Sequence, residues 1–383
     1  MNPSDIRVAL FSGNYNYVRD GANQALNKLV GHLLSRGVKV RVYSPTTDKP
    51  AFEPTGDLVS IPSWPLPGER GEFRFATRLP KSVRDDLAAF RPNMIHVSAP
   101  EFIGHAGIRY ARKHNIPVIA SLHTRFETYP RYYHLGFLEP LVVHLSKRFY
   151  NKVDAVVVPG QSMKDLLGEW GVTTPINIWA RGVDHERFSP QRRDMAWRQS
   201  LGLRDDAFAV GFLGRLVKEK GLDIFSEVCR ELTARGVPHR VLVIGDGPAR
   251  EWFAERVPEA VFAGFQRGDD LGRAVACMDV LFNPSVTETF GNVTLEAMAA
   301  GVPVVAAHAT GAMDLIDEGE TGFLVPARDV HAYADKIAML AQDPALYRAQ
   351  SDAAHAKADG YVWEEINEKV LDTYFEVLER QSK

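Results

Sequence analysis

The sequence predicts an α/β protein of two doubly wound, Rossmann-like domains facing a central cleft. Three observations predict it. The 383 residues exceed what one hydrophobic core organises, so two domains of roughly 180 residues are expected. Short β-branched runs alternate with amphipathic helical stretches at roughly 30-residue spacing, the pattern of βαβ units around a parallel sheet. That alternation lapses in the polar stretch "RGVDHERFSPQRRDMAWRQSLGLRDD" at 181–206, as at a boundary between two cores.

Taken in order, the first series begins with the strand "RVALFSG", the helix "NQALNKLVGHLLSRG" and the strand "VKVRVYSP", and continues through "MIHVSAP", "PVIASLHT" and "DAVVVPG". It defines a first domain over 1–188. The second series runs through "FAVGFLGRL", "HRVLVIGDG", "AVFAGF", "DVLFNPS" and "PVVAA" and defines a second domain over 206–360. After "DGYVW" a last helical stretch, "EEINEKVLDTYFEVLERQ", occupies 361–383.

Composition sets limits on function. Cys229 and Cys277 lie in separate apolar helical contexts without CxxC spacing, which predicts buried reduced thiols and neither a metal site nor a disulfide. The start, "MNPSDIRVALFSG", enters a strand almost at once, and no apolar run approaches membrane-spanning length, so a cytoplasmic protein is expected, at most peripheral to a membrane. Nucleic acid is not an expected partner, and the oligomeric state is left open. The net charge of −3 is unevenly divided: residues 1–190 carry +7 and the remainder −10. Either the first half faces something anionic, or it presents a solvated basic face.

In open α/β sheets ligands sit beyond the carboxyl ends of the strands, and the unusual residues of this chain fall at such places. His123 follows "PVIAS", Arg215 follows "VGFLG", Gly245 follows "VLVI" and Glu288 follows "VLFNPS". In "ETFGNVTLEA", Gly291 permits a tight turn that would point the amides of Thr289 to Asn292 outward at a helix start, where an anion or a sugar hydroxyl docks. Glu296, a turn into that helix, suits a vicinal diol such as a ribose, and Glu288 suits hydroxyls of a second ring. Glu296 as a mere helix-stabilising acid is the alternative. "GRLVKEKG" sets a guanidinium, Arg215, five residues from an ammonium, Lys220, a pair suited to a diphosphate that gains charge as it leaves. The acidic pairs in "RDD" (204–206) and "GDD" (268–270) are read as turn residues rather than metal ligands, and a metal is not expected. A dinucleotide fingerprint is lacking, since "FSGNYNYVRDG" has no G-x-G-x-x-G.

Together "GRLVKEKG", "VIGDGP", "ETFGNVTLEAMAAGVPVVA" and "GFLVPARD" resemble the donor-binding half of family 4 glycosyltransferases, retaining enzymes of the GT-B fold that use nucleotide-diphospho-sugars. The resemblance covers residues 6 to about 380 and implies that the final helix crosses back to the first domain. It implies that Arg215 and Lys220 hold the diphosphate and Glu296 the ribose. Glu288 and the amides of Phe290, Gly291 and Asn292 would hold the transferred sugar, with Gly245 also on the donor side. "FAGFQRGDDL" resembles the loop that reads the base through its backbone, at Gly264, Phe265 and Gln266. Gly21 stands alone where many relatives carry a glycine pair approaching the diphosphate. "SLHTRFETYPRYY" and "NIWARGVDHERF" are similar to a branch that puts mannose, sulfoquinovose or related sugars on membrane lipids. His123 would then be catalytic, at the donor sugar's edge, with Arg125, Tyr129 and Arg181 on the acceptor side. Arg125 occupies a position expected to be small and polar, which leaves room for an anionic sugar or head group.

The implied activity is transfer of a hexosyl or hexuronosyl unit from a GDP- or UDP-linked sugar to a hydroxyl acceptor, a membrane lipid by this resemblance, without a cofactor. The alternatives are a nucleotide-sugar epimerase of the same fold, transfer to a soluble or polysaccharide acceptor, and a non-enzymatic sugar-nucleotide sensor. A membrane-facing surface is expected in "RFETYPRYYHLGFLEPLVVHLSKRFYNK" and "PSWPLPGERGEFRFATRLPK". In the former, Phe137, Leu138, Leu141, Val142, Leu145 and Phe149 recur at helical spacing, with Lys147, Arg148 and Lys152 near one end. The same stripe on a core-facing helix is the alternative.

Overall fold

The computed structural model describes residues 2–18, 20–65, 73–132, 135–204 and 207–381. Asp205 and Asp206, residues 66–72 of the aromatic and basic stretch, and residues 133–134 lie outside the described residues. The chain forms two compact units, Met1–Arg181 with Trp363–Lys383, and Gly182–Val362.

The first unit holds strands β1 (Arg7–Phe11), β2 (Lys39–Ser44), β3 (Asp57–Ser60), β4 (Trp64–Pro65), β5 (Arg74–Phe75), β6 (Met94–Val97), β7 (Val118–Ser121), β8 (Ala155–Val158) and β9 (Ile176–Ile178). Seven of them make a sheet in the order β3-β2-β1-β6-β7-β8-β9, parallel at every pairing. β4 and β5 form a separate antiparallel ribbon. Central strands such as "VALF" and "AVVV" are buried, as expected where helices cover both faces of a parallel sheet. The helix Gly21–Ser35 starts because the Asp20 carboxylate accepts from the Asn23 amide at 2.8 Å, satisfying an orphan donor. Its Ala25, Leu26, Leu29, Val30 and Leu33 fall on one face and are buried.

The second unit repeats the plan with β10 (Ala209–Leu213), β11 (Arg240–Ile244), β12 (Val261–Gly264), β13 (Val280–Asn283), β14 (Val304–Ala307) and β15 (Gly322–Val325). Their order is β12-β11-β10-β13-β14-β15. In each sheet the order reverses beside its first strand, at β1/β6 and at β10/β13, and such switch points open a crevice beyond the carboxyl ends of the strands.

The final helix, Trp363–Gln381, belongs to the first unit. It buries Ile366, Val370, Leu371, Tyr374 and Val377, and it adds a polar seam. Glu368 meets His32 at 2.6 Å and Arg36 at 3.0 Å, Asn367 accepts from the Trp179 indole at 3.1 Å, and Tyr374 bonds His96 at 2.6 Å.

The division differs from the expected 1–188 and 206–360. Residues 182–188 go with the second unit, because the Val183 amide donates to the Tyr361 carbonyl at 3.0 Å and the Arg187 carbonyl lies against Gly272, 1.9 Å from where a Cβ would stand. Nor is 189–204 a loose join. Asp194 caps the helix Met195–Ser200, and Arg193 and Arg198 grip Asp279 at 2.6 and 3.1 Å. Gly268 to Asp270, expected in a turn, instead open the helix Gly268–Ala276, with both carboxylates in its first turn, where the helix dipole favours them. Cys229 and Cys277 are free and buried.

Candidate active site

In the second unit the loops at the carboxyl edge of the sheet are stitched backbone to backbone. The Gly214 amide donates to Ile244 O, Leu216 to Asp246 O and Ala249 to Leu216 O, each at 3.0 Å, and Gly245 donates to Gly264 O at 2.8 Å. Gly245 is obligatory here: its φ is +135°, and a Cβ would stand 1.9 Å from Gly214 O. Three loops, those after β10, β11 and β12, thus become one rigid rim. On that rim Arg215 is exposed, and Phe265, also exposed, carries the Arg267 guanidinium 4.9 Å above its ring. Gln266 folds back, its amide donating to Ala263 O at 2.6 Å.

Lys220 and Glu288 meet as an ion pair across the switch point between β10 and β13. Glu288 is held by its carbonyl, which accepts from Thr310 Oγ1 at 2.7 Å. Beyond Glu288 the chain buries Phe290 and turns at Gly291, φ +92°, into the helix Asn292–Ala299. Among the described residues no side-chain hydrogen bond caps that helix start, the end at which a helix presents its orphan amides. Thr294 in the first turn is tied to the end of β13 by Asn283 at 3.3 Å.

Glu296 lies one turn in and is half-buried. Burial pushes its carboxyl up to about 8, and the Arg187 guanidinium draws it down less strongly. Arg187, paired with Asp184 at 3.2 Å, is a charge bearing on Glu296 that the sequence reading did not single out. Its signal lay in "HERF", inside a stretch read as a join.

In the first unit, Gly21 is the first residue of its helix, directly after the Asp20 cap. His123 follows β7 and is fixed at both ring nitrogens, with Nε2 2.8 Å from Ser121 Oγ and Nδ1 2.9 Å from Arg181. Its ring packs edge-on to Trp179 at 5.2 Å. Burial, with Arg181 and then His96 beside it, holds its pKa well below the usual histidine range. Arg181, expected to face the acceptor, is instead 4 % exposed. It donates to Trp179 O at 2.7 Å and Ala180 O at 2.9 Å, because the turn after β9 folds its side chain back over Trp179. Arg125 differs too: Glu127, two residues on and buried, accepts from its Nε at 2.7 Å, so a carboxylate of the chain compensates its charge locally. Tyr129 is half-buried beside Phe126, with ring centroids 5.9 Å apart. Glu101, unremarked in the sequence, presses its carboxylate against Gly13, and burial followed by the Asp20 charge raises it to about 7.

The apolar stripe of 137–149 divides. Phe149 is buried against Gly104 and the His105 ring, whereas Phe137, Leu141 and Leu145 are 75 %, 52 % and 54 % exposed. Arg148 is exposed on the same helix, Glu139–Tyr150. Trp64, Phe75 and Phe102 are exposed as well. Among the described residues, no helix is long and apolar enough to cross a membrane, and no cluster of three or more His, Cys, Asp or Glu side chains could hold a metal ion.

The second unit's switch point thus carries the Lys220–Glu288 pair beside a helix start without a side-chain cap. Residues 19–187 match the family described as Glycosyltransferase Family 4, and residues 207–343 match Glycosyl transferases group 1. A sulfoquinovosyl transferase of Arabidopsis thaliana is 30% identical over 382 residues, covering 96% of this chain and 73% of that protein. A GDP-mannose-dependent alpha-mannosyltransferase of Corynebacterium glutamicum is 29% identical over 378 residues, covering 97% and 89%. Among solved structures, sucrose-phosphate synthase from Thermosynechococcus elongatus superposes with a TM-score of 0.81 at 20% identity, covering 98% of this chain and all of that one. The protein is a glycosyltransferase of the GT-B fold. It belongs to family 4.

Proposed function

We propose that the protein is a retaining hexosyltransferase that moves a hexosyl or hexuronosyl unit from a GDP- or UDP-linked sugar to a hydroxyl of a membrane lipid at the cytoplasmic face. The observation that carries the donor reading is the meeting of Lys220 with Glu288 at the uncapped start of the helix that bears Glu296. Lys220 and Arg215 suit the diphosphate, Glu288 the sugar hydroxyls and Glu296 the ribose diol. In this reading the bond from the anomeric carbon to the β-phosphate oxygen breaks while the acceptor oxygen bonds to that carbon on the same face. The acceptor's proton passes to the departing phosphate oxygen. Fixed cations and helix amides stabilise the charge that develops there, which is the largest lever of such sites. A relative's GDP-mannose dependence supports a nucleotide-diphospho-sugar donor. The exposed Phe137, Leu141 and Leu145 support an acceptor reached from a membrane surface.

The test is a panel of radiolabelled nucleotide-sugars with extracted membrane lipids, with and without excess EDTA. A labelled lipid with the donor's anomeric configuration, formed at an undiminished rate under EDTA, is expected. Sugar inversion without an acceptor would indicate the epimerase, transfer only to a soluble glycan would overturn the lipid acceptor, and loss of turnover restored by Mg²⁺ would overturn the metal-free site.

A further inference from the structure

Behind His123 runs a line of polar groups. Arg181 is bonded to His123 Nδ1 at 2.9 Å, His123 Nε2 to Ser121 Oγ at 2.8 Å, Ser121 Oγ to His96 Nε2 at 3.0 Å, and His96 Nδ1 to the Tyr374 hydroxyl of the final helix at 2.6 Å. Arg181, Ser121, His96 and Tyr374 are all buried. The protons of this line are constrained at one end. A guanidinium has only donors, so the nitrogen facing it must present its lone pair. A neutral imidazole then carries its proton on the other nitrogen, and Ser121 Oγ receives that N–H. Arg181 is itself over-determined: its other guanidinium nitrogen is held by two carbonyls, and its Cζ lies over the Trp179 ring, 4.6 Å from the centroid. Among the described residues no carboxylate pairs with it.

We infer that Arg181 is the positioning residue of His123, fixing it as the neutral tautomer with its proton on Nε2 and its ring pinned between Arg181 and Ser121. His123 therefore acts at the site as a fixed neutral group and not as a proton-accepting base. Protonating it would set an imidazolium directly against the guanidinium and abolish the bond between them. Among the titratable groups that bear on the ring are Arg181 and His96; burial holds His96 down at about 3, so it stays uncharged as well, and Tyr374 closes the line behind it.

The inference rests on the reading of His123 as a site residue, and the experiment separates the two. Full-length protein labelled with ¹⁵N-histidine is examined by long-range proton–nitrogen correlation, with His123→Asn to assign the ring. A pattern with Nε2 protonated and Nδ1 bare, unmoved from about pH 5 to about pH 8, the range in which an ordinary histidine titrates, is expected. In Arg181→Met the Nδ1-protonated form appears, and turnover falls roughly 10- to 100-fold with donor KM unchanged, the scale of losing a group that orients another. A wild-type ring that titrates in that range, or carries its proton on Nδ1, would overturn the inference, as would an Arg181→Met spectrum identical to wild type. The wild-type spectrum decides even if that variant does not fold. The underlying reading is tested independently, by whether His123→Ala loses turnover.

Discussion

Glu296 illustrates why single residues of the donor side matter. It is a half-buried carboxyl that burial raises to about 8, more strongly than the Arg187 guanidinium draws it down. Hydrogen bonds from a diol would compensate it. Glu296→Ala and Arg215→Ala are each expected to lower turnover by roughly 10²- to 10³-fold, the scale of removing a contact to transition-state charge. Initial rates of the purified, folded variants with the true donor check this, and retention of more than about half the wild-type rate by both would refute the assignment. The placement of Arg215, Lys220 and Glu288 beyond strand ends, with Glu296 in the helix that follows, was legible in the sequence because strand ends are what periodicity locates. Arg181 and Arg125 were legible as unusual residues but not in their roles. Which way a side chain folds back, and which carboxylate reaches it, depends on turn geometry that leaves no periodic trace. His96 was the missed signal: a histidine in the middle of the buried strand "MIHV" must find polar partners.

Among the elements, the helix Glu139–Tyr150 shows the limit of pattern reading. Its apolar spacing fits a core helix and a membrane-facing helix equally, and the structure divides the stripe, with Phe149 buried and Leu141 and Leu145 exposed. Exposed apolar groups beside Arg148 would insert into a bilayer and be drawn to anionic lipid, worth about 1 kcal/mol per basic residue near the surface. Cosedimentation with liposomes should rise with anionic lipid content and fall with added salt, because the attraction is screened. Leu141→Glu combined with Leu145→Glu should abolish it. Equal recovery in the supernatant at every composition would count against a membrane-reached acceptor. The glycine-built rim is the opposite case, legible in part: the sequence placed Gly245 after a strand on the donor side, but not that its close partner would be the backbone of Gly214.

For the whole molecule, two parallel sheets with helices between their strands were legible because alternating elements admit few other solutions. The boundaries were not. Polar sequence at 181–206 suggested a linker, whereas Arg193, Arg198 and Asp279 show a polar segment bound tightly by charge. The final helix is an integral part of the first unit. Each of its fully buried apolar side chains contributes roughly 1.5–3 kcal/mol, and its removal also uncovers His96. A chain ending after Val362 should therefore lose the thermal transition of the first unit and all transferase activity while keeping that of the second, as read by calorimetry. Two undiminished transitions would contradict that dependence.

The same helix imposes an order on how the protein comes into being. The first unit is interrupted by the 181 residues of Gly182–Val362, which at typical synthesis rates take roughly ten to forty seconds to emerge. Throughout that interval the first unit lacks its last helix, and at its close the second has every residue it needs before that helix has been made. The part begun first is thus the part finished last, and its uncovered surface must be kept from other chains until Tyr374 arrives.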